Sequence, residues 1–243
     1  HLDHFKNLGA IEDAFVEFVG KLPFYGMAAV CAEDEGVKRV LPRFTKPVIT
    51  YGFGEDCDYS ARAVQAAGLG STFEVWTRRE APSGVSLGKA RKLGVARLNV
   101  PGRHNVLNAL SAVIMGLQLG LSFEQVVAGL EQFRGVKRRF EIRWQDEAQK
   151  KVIVDDYGHH PTEIAATLAA ARAYWPGRIV TVFQPHRYSR TMHCRDGFLS
   201  AFKDSDIVLI TDIYAAGEDP IDGVDSASLA LEIARVMGAG CEV

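Results

Sequence analysis

The chain has 243 residues, 47% hydrophobic and 24% charged, with a formal net charge of −2. That composition is globular and long enough for two domains, each with its own core, and its charge offers polyanions no general surface, which argues against nucleic acid as main partner. No apolar run reaches the roughly 18 residues of a membrane span, and no signal peptide opens the chain. Cys31, Cys57, Cys194 and Cys241 are scattered without a Cys-x-x-Cys pair, so neither a zinc ribbon nor a dense disulfide framework is expected, and a reducing, cytoplasmic setting is the default.

Ile11, Phe15, Phe18 and Val19 recur at helical spacing and predict an amphipathic helix over 11–19. Residues 27–31 and 48–51 are short apolar runs, the second closed by Gly52 and Gly54. They read as buried strands alternating with helices in a parallel sheet. From 59 to 100 the texture changes: 73–77 and 96–100 alternate apolar with polar residues, as half-exposed antiparallel strands do. Pro101-Gly102 breaks the chain before a helix over 105–119 that stops at Gly120. Ser122 caps the next helix, with Val126, Val127 and Leu130 on one face. The basic stretch 135–140 reads as a domain boundary, giving domains 1–136 and 137–243. Beyond it, strands at 151–154, 179–183 and 207–211 alternate with helices at 162–174, 197–202 and 226–236, the pattern of a doubly wound α/β unit. The fold class is α/β throughout.

Five constellations can carry chemistry. The first, Asp155-Asp156-Tyr157-Gly158-His159-His160-Pro161, follows a strand, where loops of a parallel sheet line the ligand crevice. Its carboxylates suit ribose hydroxyls or a magnesium-bound water; the stretch equally suits a polar loop capping the helix that starts at Pro161. The second, Phe183-Gln184-Pro185-His186-Arg187-Tyr188-Ser189-Arg190-Thr191, follows the next strand. Arg187 and Arg190 can grip a carboxylate or phosphate through bidentate guanidinium contacts, or belong to a solvated basic loop. The spacing of His159, His160, His186 and His193 matches no common zinc pattern. The third is Asn105 with Asn108, on one face of a helix start; an amide can read an adenine edge, or Asn105 can simply cap the helix. The fourth is Lys137-Arg138-Arg139 at the boundary, within reach of a phosphate between domains or merely solvated. His1-Leu2-Asp3-His4-Phe5 opens the chain with an imidazole and carboxylate that could help hold a metal.

Order and spacing together resemble the Mur ligases, over essentially the whole chain. His1 to Phe5 looks like the remainder of that family's Asp-His-x-Asp motif, Pro101 to Asn108 its His-Asn-x-x-Asn helix start, and Arg138-Arg139-Phe140-Glu141 its interdomain arginine. Asp155 to Glu163 and Phe183 to Thr191 resemble the substrate loops of the branch that adds alanine, and Tyr214-Ala215-Ala216-Gly217-Glu218 matches a further segment of that branch. The diaminopimelate-adding branch would carry Asn-Pro-Arg in the second loop, and the tripeptide-recycling branch a Glu-Pro-Arg-Ser-Asn type.

The resemblance implies part of a P-loop-type central ATPase domain, with a parallel sheet, helices and a small antiparallel sheet, followed by an incomplete Rossmann-like domain. It implies ATP-dependent joining of L-alanine to the muramoyl carboxylate of UDP-N-acetylmuramate through an acyl phosphate, in peptidoglycan precursor synthesis. ATP and Mg2+ are the implied cofactors. By matching position, His1 would serve the metal, and Asn105, Asn108, Arg139 and Asp156 would bind ATP. Tyr157, His159, Arg187 and Arg190 would surround the substrates, with Arg139, His159, Arg187 and Arg190 as catalytic candidates. The family's Gly-Lys-Thr phosphate loop and its last C-terminal segment are missing from the 243 residues, so the chain reads as a fragment, inactive alone. A tripeptide ligase and a non-catalytic nucleotide-binding module are the alternatives. No membrane partner is expected, and oligomeric state is not legible.

Overall fold

The computed structural model describes residues 5–238 except 68, 81, 82 and 84, and the chain divides between Arg134 and Gly135 into two units. In the first, Asn7 caps α1 (Leu8–Gly20), its side chain accepting the Ala10 N–H at 2.9 Å. Then follow β1 (Ala28–Cys31), α2 (Glu35–Val40), β2 (Val48–Gly52), β3 (Tyr59–Ala67), β4 (Gly70–Arg79), β5 (Ser86–Leu98), α3 (Arg103–Gln118) and α4 (Phe123–Gln132).

The five strands form one sheet in the order β1-β2-β3-β4-β5. The first three run parallel, and β3-β4 and β4-β5 are antiparallel. The parallel and antiparallel parts that the sequence keeps apart are therefore continuous, joined by β3. That strand shows no clean alternation because Tyr59, Ser60 and Ala61 are buried in succession and a bulge between Arg62 and Gln65 shifts its register. Parallel neighbours ordinarily need a crossover of about a dozen residues. Here the link from Gly52 to Tyr59 is short, and reciprocal bonds hold it: Thr50 N–H donates to Asp58 Oδ2 at 2.9 Å, and Asp58 N–H to Thr50 Oγ1 at 3.0 Å.

Val106, Leu110, Val113 and Ile114 of α3 pack on Phe73, Val75, Ala96, Leu98, Ile49 and Tyr59 of the sheet. Helix α4 docks through two close approaches. A Cβ at Gly94 would lie 2.5 Å from the Phe123 ring, and one at Gly116 would lie 2.5 Å from Val126 Cγ2.

In the second unit β6 (Glu141–Asp146) and β7 (Lys151–Asp155) form an antiparallel ribbon, followed by α5 (Pro161–Tyr174), β8 (Val180–Phe183), α6 (Tyr188–His193), α7 (Arg195–Ala201), β9 (Ile207–Ile210) and α8 (Ser226–Met237). Strands β8 and β9 pair in parallel. The run at 151–154, expected in the parallel part, instead pairs with β6. A turn returns the chain, with Gln149 N–H on Asp146 Oδ1 at 2.9 Å and Lys150 at φ 51°. Phe183, Phe198, Phe202, Val208, Leu229 and Ile233 form the core with Ile164 and Leu168 of α5. Among the described residues no helix is long and apolar enough to cross a membrane.

Candidate active site

Pro161 starts α5, and the loop before it is fixed by two carboxylates. Asp156 Oδ1 accepts Gly158 N–H at 2.7 Å, while Oδ2 accepts Phe140 N–H at 2.8 Å. Tyr157 N–H donates to the Arg138 carbonyl at 2.7 Å. These bonds sew residues 138–140 to the loop, although Arg138 and Phe140 must take left-handed φ values of 57° and 51° to make them. Over the Tyr157 ring lies the Arg138 guanidinium, 4.6 Å from the centroid; Arg139 is at 5.8 Å. Arg139 also approaches Glu163 at 3.5 Å.

Glu163 Oε2 accepts the N–H groups of His159 and His160 at 3.1 and 3.3 Å. With the His160 side chain as N-cap this completes a capping box. The polar-cap reading of this loop and the chemical one are thus compatible. Burial works to raise Glu163, but the two backbone donors, then His159 and Arg139, outweigh it and hold the carboxyl below its ordinary value. His159 Nδ1 lies 3.1 Å from the Tyr157 carbonyl. A carbonyl only accepts, so Nδ1 bears a hydrogen, and in the neutral ring Nε2 is the acceptor.

The second loop is not all loop: it closes into α6, whose short turn left no periodic signal in the sequence. Arg187 precedes it at φ 72°. Its N–H donates to the Tyr214 carbonyl at 2.8 Å, and its carbonyl accepts the hydroxyl of buried Thr191 at 2.8 Å. Arg190 Nη1 donates to His186 Nδ1 at 3.1 Å. The two loops meet, with the rings of His159 and His186 6.3 Å apart and His186 5.5 Å from Tyr214. Burial, then the charges of Arg190, Arg187 and His159, push His186 below its ordinary value against the opposing Glu218. Two guanidinium groups, the His159 and His186 imidazoles and a half-exposed phenol suit a carboxylate or phosphate ligand.

Arg139, Asp156, Tyr157, His159, Arg187 and Arg190 all belong to the second unit. Asn105 and Asn108 stand in the first turns of α3 in the first unit. Asn105 Nδ2 donates to the Pro101 carbonyl at 2.7 Å, and Asn108 Nδ2 to Asn105 Oδ1 at 3.3 Å. Asn105 is not the cap: Gly102, at φ 99°, holds that position. His1 lies outside the described residues. Among the described residues no group of three or more His, Cys, Asp or Glu is arranged to hold a metal ion. Glu163 and Glu218 received no site role from the sequence; each acts across a distance in chain or through backbone N–H groups, and neither leaves a spacing signal.

Residues 1–116 match the Mur ligase middle domain and residues 138–243 the Mur ligase glutamate ligase domain. The chain is 43% identical over 235 residues to a UDP-N-acetylmuramate–L-alanine ligase of Geotalea daltonii, covering 97% of this chain and 48% of the relative. It is 47% identical over 237 residues to that of Oleidesulfovibrio alaskensis, covering 97% and 49%. The crystal structure of the Thermotoga maritima UDP-N-acetylmuramate–alanine ligase MurC superposes with a TM-score of 0.71 at 27% identity, over all of this chain and 47% of that one. The chain thus spans about half the length of the curated relatives it matches. With two successive domain matches and this identity along nearly its whole length, the chain belongs to the Mur ligase family.

Proposed function

We propose that this chain supplies the substrate-binding half of an ATP-dependent ligase that joins L-alanine to the muramoyl carboxylate of UDP-N-acetylmuramate. The observation that carries this reading is the joining of the 155–161 and 183–191 loops into one cationic site, in a chain 43% and 47% identical to ligases named for that reaction. The first unit is assigned to the central ATP-binding domain and the second to the substrate domain. ATP and a UDP-sugar are cytoplasmic substrates, so the bacterial cytoplasm is the proposed location.

A carboxylate is a poor acyl donor; taking the γ-phosphoryl group of ATP turns one of its oxygens into part of a leaving group. The amine then attacks that carbonyl, and phosphate departs from the tetrahedral intermediate. Such chemistry asks the protein mainly for positioning and charge neutralisation. Arg187 and Arg190 are assigned to the substrate carboxylates, Tyr157 to the wall of the amino-acid site, and His159 Nε2 to receiving the amine proton. Arg139 is assigned to the transferred phosphate, and Asn105 with Asn108 to adenine. Asp156 has two acceptor sites left beyond its backbone bonds, enough for a ribose hydroxyl. Magnesium, which the family implies, would neutralise phosphate charge when bound. No described group of residues is arranged for it, and no step here runs through it.

The test is phosphate release by the full-length protein carrying this chain, given ATP, UDP-N-acetylmuramate and either alanine, glycine, serine or the murein tripeptide. Alanine-dependent release is expected. Preference for the tripeptide would instead show a recycling ligase, and nucleotide binding without amino-acid-dependent release a non-catalytic module. Arg187→Ala should lower kcat/KM by about 10- to 100-fold, the worth of a charged hydrogen-bonded contact, with ATP affinity by calorimetry nearly unchanged. Unchanged turnover would refute its assignment.

A further inference from the structure

Glu218 lies 29 residues beyond Ser189, yet its carboxylate holds the first turn of α6. One oxygen accepts the Ser189 N–H at 2.9 Å and the other the Ser189 hydroxyl at 2.6 Å. The second oxygen also stands 3.9 Å from Arg187 Nη1. The same segment grips the preceding backbone: Tyr214 accepts the Arg187 N–H at 2.8 Å and donates to the Pro185 carbonyl at 2.9 Å. Ala216 and Gly217, at φ 51° and 87°, turn the chain between these two grips. The Ser189 donors, then the Arg187 charge, keep the Glu218 carboxyl below its ordinary value, so it is a charged anchor at neutral pH.

We propose that Glu218 is a positioning residue of the ligase site, an ionised carboxylate that sets where the Arg187 guanidinium meets the amino-acid substrate. The inference rests on the proposed assignment of Arg187 to a substrate carboxylate and takes that carboxylate to be the amino acid's. A free arginine side chain samples many rotamers, so a fixed opposite charge beside it narrows where the planar fork can point. At 3.9 Å the pair acts by charge more than by a short hydrogen bond. The Ser189 backbone N–H, which no side-chain change removes, holds the carboxylate in turn.

Glu218→Gln in the full-length protein keeps the shape and an acceptor for Ser189 but removes the charge. KM for alanine should rise about fivefold, the upper worth of a partly exposed ion pair, while kcat and KM for ATP stay within about twofold of wild type. The rise should be largely absent when the same change is made in an Arg187→Gln background, which removes the charge that Glu218 acts on, because both substitutions then act on one interaction. Ser189→Ala, which keeps the charge, should leave KM for alanine near wild type. Equal rises in Ser189→Ala and Glu218→Gln, or additive effects in the double variant, would mean that Glu218 only anchors α6 and would overturn the role. Where Glu218→Gln fails to fold, Glu218→Asp takes its place in the same cycle, and additivity there overturns the role equally. A wild-type protein releasing no phosphate with any amino acid overturns the ligase reading and this role with it. An active wild type whose Glu218→Gln variant has an unchanged KM overturns this role alone.

Discussion

At His186, burial disfavours the charged ring and one neighbour sets which nitrogen carries the proton. A guanidinium has donors and no acceptor, so the 3.1 Å approach of Arg190 Nη1 makes Nδ1 an acceptor and leaves the neutral ring's proton on Nε2. Protonating Nδ1 would set two donors against each other beside two guanidinium groups. The folded chain therefore resists the proton that an unfolded chain would bind near the ordinary value of 6.5. Because the unfolded state holds more protons in that window, stability must fall as pH drops through about 6.5 toward the depressed folded value. His160, also lowered first by burial, adds to the same window. Glu163 and Glu218 are carboxylates lowered on folding, so their contribution is lost further down, as pH falls from about 4.5. Urea unfolding of the second unit between pH 7.5 and 5.5 should show a falling midpoint, and His186→Gln should flatten that slope. A wild-type midpoint that does not change over this range would contradict the assigned tautomer.

At the scale of elements, the sequence speaks where periodicity or capping is local. Ser122 is legible as a cap, and in the structure its hydroxyl accepts Gln125 N–H at 3.2 Å while Gln125 Oε1 accepts Ser122 N–H at 2.8 Å. Ser122→Ala should cost about 1 kcal/mol in chemical unfolding; a change below a few tenths would show that the docking of Phe123 and Val126 alone sets that helix end. The long helices α3, α5 and α8 are similarly legible within about two residues. Strands β3 and β6 were not. The first is interrupted by a bulge, and the second carries exposed Trp144 among polar neighbours with no buried face to alternate against. The placement of 151–154 failed for the same reason: its partner is a strand with no clear signal, so nothing local reveals an antiparallel ribbon. Of the site, the loops 155–161 and 183–191 were legible because their donors are dense in sequence. The contact of Glu218 with Ser189 was not, since its carboxylate reaches that residue through folding alone.

For the whole chain, two cores imply two separable responses to damage. Phe202 is fully buried among Phe183, Phe198 and Leu229 in the second unit. Phe202→Ala should cost about 3–5 kcal/mol there, and hydrogen exchange should quicken in α5, α7 and β9 while amides of β4 and α3 keep their protection. Equal loss in both units would show a single cooperative fold. Six described non-glycine residues take left-handed φ values, and four of them, Arg138, Phe140, Arg187 and Ala216, form the frame of the candidate site. Glycine adopts that backbone without the steric cost other residues meet. A screen that rewards heat resistance alone would therefore favour glycine at these positions, stripping the guanidinium of Arg187 along the way. Breeding this protein for robustness without an activity filter would remove side chains from the candidate site first.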